Sequence, residues 1–220
     1  MNVTIEPPLT EAALTRRCQS IAGKTLAQIA LLCNWQLPSS TTQGKGWAGQ
    51  LIETVLGASA RNQASPDFVE LAIELKTLPL NQKGFPAEST YVTNIPLLTI
   101  HQQTWETSAC WQKLKRVLWL PIEGDSRIPI AQRRVGMGFL WSPTNEQSTL
   151  LRQDWEEHVE RIICGELEDI NAKAGKYLQI RPKAANARTL TEAFDKQGNL
   201  TQTLPRGFYL RPSFTKQILG

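Results

Sequence analysis

The segment Pro66-Asp67-Phe68-Val69-Glu70-Leu71-Ala72-Ile73-Glu74-Leu75-Lys76 constrains this chain more than any other. Apolar and polar residues alternate in part as far as Leu80, which predicts a β-strand over 68–80. On such a strand Glu74 and Lys76 share one face and Leu75 takes the other. Asp67 has the opposite parity to Glu74, so on one straight strand the two carboxylates point apart. Bringing them together requires a bend, a bulge or a strand start beside Asp67, and Pro66 makes such a break plausible. If the ladder is interrupted near Leu75, its carbonyl becomes a further oxygen for a cation.

Two carboxylates and a lysine in this arrangement offer what phosphodiester hydrolysis requires. Acids hold a divalent metal beside the phosphate, where it screens charge and acidifies water. Lys76 is the candidate to position or deprotonate that water and to stabilise the charge that develops. A Glu-x-Lys tripeptide alone is weak evidence, and its plain alternative is an exposed ion pair. The upstream Pro-Asp and the apolar strand make the pattern more specific. A fourth candidate is Glu53, which falls on the polar face of a helix over Gly46–Leu56 whose other face carries Trp47, Ala48, Leu51, Ile52, Val55 and Leu56.

The rest of the chain supplies a frame for this strand. Thr10 caps a helix over Glu11–Gln19, and a second follows over Thr25–Cys33. Tyr91–Thr99, Val117–Ile122 and Val135–Trp141 read as strands, with shorter ones at Tyr177–Ile180 and Gly207–Leu210. Ser148–Cys164 reads as a helix from Leu151, Trp155, Val159, Ile162 and Ile163. The expected architecture is α/β, in the α+β sense of a mixed sheet flanked by helices. The seven Trp residues are assigned to packing.

Net charge is only +4, but it is unevenly placed. Residues 151–170 hold two basic and seven acidic side chains, while 171–220 hold nine basic ones against Glu192 and Asp195. A second basic stretch covers 111–134. An acidic helix between two basic regions is the footprint expected of a phosphate-backbone binder, with ordinary solvated charge as the alternative. The four cysteines form no Cys-x-x-Cys pair, so they read as small buried hydrophobes in a reducing compartment rather than a zinc site or a disulfide framework. His101 and His158 read as structural. The N-terminus has no secretory pattern and no apolar run is long enough to span a membrane, so a cytoplasmic location is expected.

The Pro66-Asp67…Glu74-Leu75-Lys76 set resembles the catalytic motif of restriction-endonuclease-like nucleases, the PD-(D/E)xK superfamily. Longer blocks resemble the MutH family, the strand-nicking endonucleases of methyl-directed mismatch repair. They are Lys45-Gly46-Trp47, Leu56-Gly57-Ala58-Ser59-Ala60, Glu74–Thr77, Trp105–Ser108, Lys113–Trp119, Ala131–Gly136, Tyr177–Asn186 and Leu204–Leu210. The resemblance covers nearly the whole chain and weakens at the N-terminus and after Arg211.

This resemblance implies one nuclease domain over 1–220, with two lobes around a DNA-binding cleft. The catalytic lobe includes 40–140 and the DNA-reading lobe 145–210. It implies Mg²⁺ as cofactor, with Mn²⁺ able to substitute, held by Asp67, Glu74 and the Leu75 carbonyl. Lys76 serves the water, Glu53 is an additional acid and Lys113 is a lysine near the centre. Lys45 contacts the DNA backbone, and Arg181-Pro182-Lys183 forms the major-groove loop that reads GATC. Tyr209 matches the tyrosine that senses adenine methylation, and Tyr91 stands where the family often has another aromatic. The implied substrate is duplex DNA with a hemimethylated GATC site, cut by a monomer that MutL activates after MutS has found a mismatch. Two alternatives remain open at this point: a restriction enzyme that cuts both strands, and a methylation-sensing DNA-binding module with a silent centre.

Overall fold

A computed structural model describes residues 5–38, 46–60, 65–171, 173–184, 186 and 188–220. In chain order its main elements are α1 (Glu11–Ile21), α2 (Leu26–Leu32), α3 (Trp47–Leu56), β1 (Glu74–Leu80), β2 (Thr90–Asn94), α4 (Ala109–Leu114) and β3 (Val117–Glu123). They continue with β4 (Phe139–Trp141), α5 (Asn145–Ile163), β5 (Leu178–Pro182), β6 (Thr191–Phe194), β7 (Leu200–Thr203), β8 (Arg206–Leu210) and α6 (Pro212–Leu219). The chain divides into two compact units, each built from two separate stretches. The first is Met1–Ala87 with Arg116–Ser142, and the second is Glu88–Lys115 with Pro143–Gly220.

In the first unit a mixed sheet runs β1-β3-β4, with β1 parallel and β4 antiparallel to β3. Ile73 and Leu75, with Leu118, Leu120 and Ile122, bury one face against Leu14, Cys18 and Ile21 of α1, Leu26 and Ile29 of α2, and Leu51, Ile52 and Leu56 of α3. These helix residues recur at three- and four-residue spacings, the stripe that lets a helix bury one side. Thr10 Oγ1 accepts from Ala13 N, and Thr25 with Gln28 forms a reciprocal capping box, so the starts of α1 and α2 are fixed by local chemistry. Gly57 closes α3 with φ 78°, and a Cβ there would lie 2.4 Å from Arg17 Nη1 and 2.7 Å from the Glu6 carbonyl oxygen. Only glycine fits that turn.

The strand expected over 68–80 begins only at Glu74. Residues Val69–Leu71 form a 3₁₀ turn, and Ala72 has φ 52°. Phe68 and Ile73 hydrogen-bond to each other in both directions, at 2.9 and 3.2 Å, and close the loop between them. Both are buried, so packing two large apolar side chains outweighs the strand preference of the intervening residues. The strand expected over Tyr91–Thr99 likewise shortens to β2, with Pro96 beyond its end, and that over Val135–Trp141 reduces to β4 after an isolated Ile122–Val135 bridge.

In the second unit β8 pairs antiparallel with β2 on one side and β5 on the other, and β6 and β7 form a separate hairpin. That hairpin, α4 and α6 are additional to the elements expected from the sequence. Helix α5 starts before the expected Ser148, because Thr144 and Gln147 form a capping box. Its acidic stretch does not simply face solvent. Asp154 is 7% exposed and accepts the backbone N–H groups of Lys176, Tyr177 and Leu178 at 2.8, 2.6 and 2.8 Å. Farther along, Glu168 accepts from Arg206 Nη2 at 2.7 Å. The acidic run thus anchors both ends of the basic region as well as balancing its charge. His158 is buried, with Nε2 3.1 Å from the Leu178 carbonyl oxygen, and burial pushes its pKa down. Of the cysteines, Cys18, Cys33 and Cys110 are buried as expected, with Cys18 pushed up to about 11, whereas Cys164 is exposed. Among the described residues no helix is long and apolar enough to cross a membrane.

The exposed Ala72 holds the left-handed conformation that shapes the loop ahead of β1. This conformation costs an L-residue roughly 1–2 kcal/mol, partly offset in a glycine variant by greater freedom when unfolded. Ala72→Gly is expected to raise stability by up to about 1 kcal/mol and Ala72→Val to lower it by about 2 kcal/mol, measured by urea unfolding. Equal midpoints for the two variants would contradict this account of the turn.

Candidate nuclease centre and DNA-reading face

The loop closed by Phe68 and Ile73 removes the parity problem. Because those two residues bridge antiparallel, the position before Phe68 lies opposite the position after Ile73, and Asp67 comes back alongside Glu74. Asp67 Oδ2 accepts the Leu75 N–H at 2.8 Å. The Asp67 carbonyl accepts from the N–H groups of Ser59 and Ala60 at 2.9 and 3.1 Å, which ties it to the segment that follows α3. The expected break beside Pro66 is therefore a folded-back loop.

The phase of the ladder places the Leu75 backbone. Glu74 N donates to the Arg116 carbonyl at 3.0 Å in the Glu74–Val117 register, so Glu74 and Lys76 direct their backbone groups at β3. In a parallel ladder the intervening residue faces the opposite side. The Leu75 N–H and carbonyl therefore share the outer edge of β1, the side from which Asp67 approaches. No interruption of the ladder is needed, contrary to the condition set from the sequence.

Glu74 and Lys76 turn away from the helical core, onto the face shared with Val117 and Trp119. They are 2% and 9% exposed, and Lys76 Nζ donates to Glu74 Oε1 at 2.7 Å. This excludes the exposed ion pair as the explanation, because a buried acid and base must be held by specific partners. Burial pushes the Asp67 carboxyl up to about 6; the Glu74 charge adds to this, the Leu75 N–H and Lys76 oppose it, and Glu53 raises it further. Glu53, half-buried on α3, is thus within electrostatic reach of the group.

This donor set fits a hard divalent cation. Two carboxylates and a carbonyl are all oxygen ligands of the kind Mg²⁺ takes. The repulsion that raises Asp67 is what such a cation would relieve. Among the described residues no cluster of three or more His, Cys, Asp or Glu side chains stands at ligand spacing.

The second unit gathers the other candidates. Tyr91 and Tyr209 face each other across β2 and β8, with ring centroids 5.4 Å apart in an edge contact. Arg181 lies over the Tyr209 ring at 5.9 Å, and Lys183 Nζ lies over the Tyr91 ring at 4.5 Å. Gly207 makes room for both rings, since a Cβ there would stand 3.1 Å from Tyr91 and 3.3 Å from Tyr209. Burial raises the Tyr209 phenol pKa and the Arg181 charge opposes the rise. Pro182 pairs with Arg206 at the end of β5, and Lys183 N then donates to the Pro205 carbonyl at 2.7 Å. Arg181, Pro182 and Lys183 are all exposed.

Lys113 is buried on α4, in the second unit and not in the one that carries Asp67, Glu74 and Lys76. Arg116 is paired with Glu11 at 2.6 Å, a structural tie within the first unit. Lys45 lies outside the described residues. Gln179 and Ser89, which have no assigned role in the sequence reading, join this candidate face. Gln179 is 5% exposed and donates to Ser89 Oγ at 2.8 Å, and Arg181 Nη1 donates to the same oxygen at 3.0 Å.

A mixed sheet whose edge strand carries a buried Glu-x-Lys pair, with an aspartate folded back against it, defines the restriction-endonuclease-like class of nucleases. The family model described as "MutH: DNA mismatch repair enzyme MutH" matches residues 56–154. The DNA mismatch repair protein MutH of Histophilus somni (strain 2336) is 49% identical over 215 residues, covering 98% of this chain and 96% of its own. That of Escherichia coli O139:H28 (strain E24377A / ETEC) is 49% identical over 216 residues, covering 98% and 94%. The chain belongs to the MutH family of mismatch-repair endonucleases and is an endodeoxyribonuclease.

The raised Asp67 carboxyl gives a stability test without activity. A group whose folded pKa of about 6 lies above its ordinary 3.8 favours folding while protonated, and that contribution is lost as pH rises through 6. Asp67→Asn is therefore expected to stabilise the metal-free protein at pH 7.5 by about 1–3 kcal/mol, with the gain vanishing near pH 4. A Mg²⁺-induced rise in Tm is expected for the parent and not for the variant. Denaturant unfolding at the two pH values checks the sign, and no gain at pH 7.5 would refute the electrostatic account.

Proposed function

We propose that this protein nicks the unmethylated strand at hemimethylated GATC sites in duplex DNA, leaving a 5′-phosphate and a 3′-hydroxyl. The observation that carries the reading is the Asp67–Leu75 hydrogen bond, which sets Asp67 against the strand that carries the paired Glu74 and Lys76 and the outward-facing Leu75 carbonyl. Mg²⁺, for which Mn²⁺ can substitute, would be held by Asp67, Glu74 and the Leu75 carbonyl and would supply charge neutralisation and a more acidic water. The chain's own groups do the rest. Asp67 is oriented by the Leu75 N–H and by the backbone that follows α3. Lys76, held by Glu74, orients the attacking water and faces the negative charge that builds on the phosphate. Glu53 adds negative potential that keeps a cation in place, and Lys113 is assigned to phosphate charge.

Site recognition falls to the Tyr91, Tyr209, Arg181 and Lys183 cluster. Arginine and lysine donors suit guanine O6 and N7 in the major groove. Tyr209 offers an aromatic edge against the adenine N6 position, where a methyl group changes the fit. Arg181 and Pro182 belong to the end of β5 and not to the loop expected there, so Pro182 fixes the strand end between the two cations, and Lys45 is assigned to the DNA backbone. The protein acts as a monomer in the cytoplasm, activated by MutL after mismatch detection by MutS.

Supercoiled plasmid in unmethylated, hemimethylated and fully methylated forms tests reaction, sequence and methyl sensing together, with Mg²⁺ and activator present. Open circles nicked in the unmethylated strand are expected, and fully methylated plasmid should survive. Immediate linear product would instead favour a restriction enzyme, and binding without any cutting a silent module. Lys76→Ala should lower nicking at least about 100-fold while DNA affinity stays within a few-fold.

A further inference from the structure

Ser89 stands immediately before β2, where its hydroxyl oxygen accepts hydrogen bonds from Gln179 Nε2 at 2.8 Å and Arg181 Nη1 at 3.0 Å. The first donor belongs to a side chain 5% exposed and seated in β5, so the position of the serine oxygen is tied to the sheet. The second belongs to an exposed arginine two residues farther along the same strand. An exposed arginine gives up much of its rotamer freedom when a ligand fixes it. The Ser89 hydroxyl fixes it beforehand, and the Tyr209 ring, 5.9 Å from the guanidinium carbon, supports the side chain as well.

The tie also selects which edge of the guanidinium is presented. With Nη1 directed at Ser89, the Nε–H and Nη2–H edge remains as a two-donor fork of the kind that matches a pair of acceptors on a base edge. We propose that Ser89 is a positioning residue for sequence discrimination, holding Arg181 in the orientation that reads a base pair, with Gln179 bracing the serine. This rests on the reading of Arg181 as a base-contacting residue. Ser89 touches no reacting atom, so its removal changes the choice of site more than the chemistry.

The test compares nicking rates on hemimethylated plasmids that carry GATC or a site altered at one base pair, for the full-length parent, Ser89→Ala, Ser89→Thr and Arg181→Ala. Ser89→Ala is expected to lower the ratio of cognate to altered-site rates about five- to ten-fold, the scale of one ordinary net hydrogen bond. Its Tm should stay within about 2 °C of the parent. Ser89→Thr, which keeps the hydroxyl, should restore the ratio to within about two-fold. Three outcomes would overturn the proposal: an unchanged ratio in Ser89→Ala, an equal loss on all sites, or failure of threonine to restore discrimination. If Arg181→Ala also keeps the parent ratio, the base-reading assignment of Arg181 fails as well. If only Arg181→Ala loses discrimination, that assignment stands and Ser89 is excluded.

Discussion

One hydrogen bond organises the candidate centre: the Leu75 N–H donated to the Asp67 carboxylate. It can form only because β1 is an edge strand whose alternate backbone groups face away from β3. The same alternation sends the Leu75 carbonyl to that edge and the Glu74 and Lys76 side chains to the face away from the helices. Placing Asp67 there then requires a loop that reverses within the few residues between Phe68 and Ile73, at the expense of a positive φ at Ala72. Pairing, parity and strain are therefore three aspects of one local solution, and each limits the others.

Features governed by short-range periodicity were legible in the sequence. The Glu74–Lys76 face, the apolar stripes of α3 and α5, and the cap at Thr10 follow from spacing alone. The loop before β1 was not, because Val69, Leu71 and Ile73 have strand preferences and the contact that defeats them joins two side chains whose pairing no local rule specifies. The β6–β7 hairpin was missed although its turn carries a signal: Asp195 Oδ1 accepts from Gln197 N and Asn199 N, and Gly198 has φ 80°. Its strands are short and mostly exposed, which leaves little hydrophobic alternation to detect.

Charge was the least reliable guide to position. Counting residues separated an acidic run from a basic one, yet Asp154 and Glu168 within that run are directed at the strands carrying the basic groups. A carboxylate that accepts three backbone N–H groups organises a strand start, whatever it contributes to net charge. Conversely, Arg181 and Lys183 are set against the faces of tyrosine rings, so their effect depends on orientation. Resemblance identified these side chains, and the sheet register supplied the reason they stand together.

The division of the chain has a consequence for inheritance and engineering. Each compact unit is assembled from two stretches interleaved along the sequence, with junctions after Ala87, Lys115 and Ser142. No single truncation yields either unit alone: a stop after Ser142 keeps the whole first unit but leaves 88–115 of the second attached to it. The two units therefore cannot be exchanged as cassettes by one recombination event. Variation in one must arise residue by residue within a gene that already encodes the other.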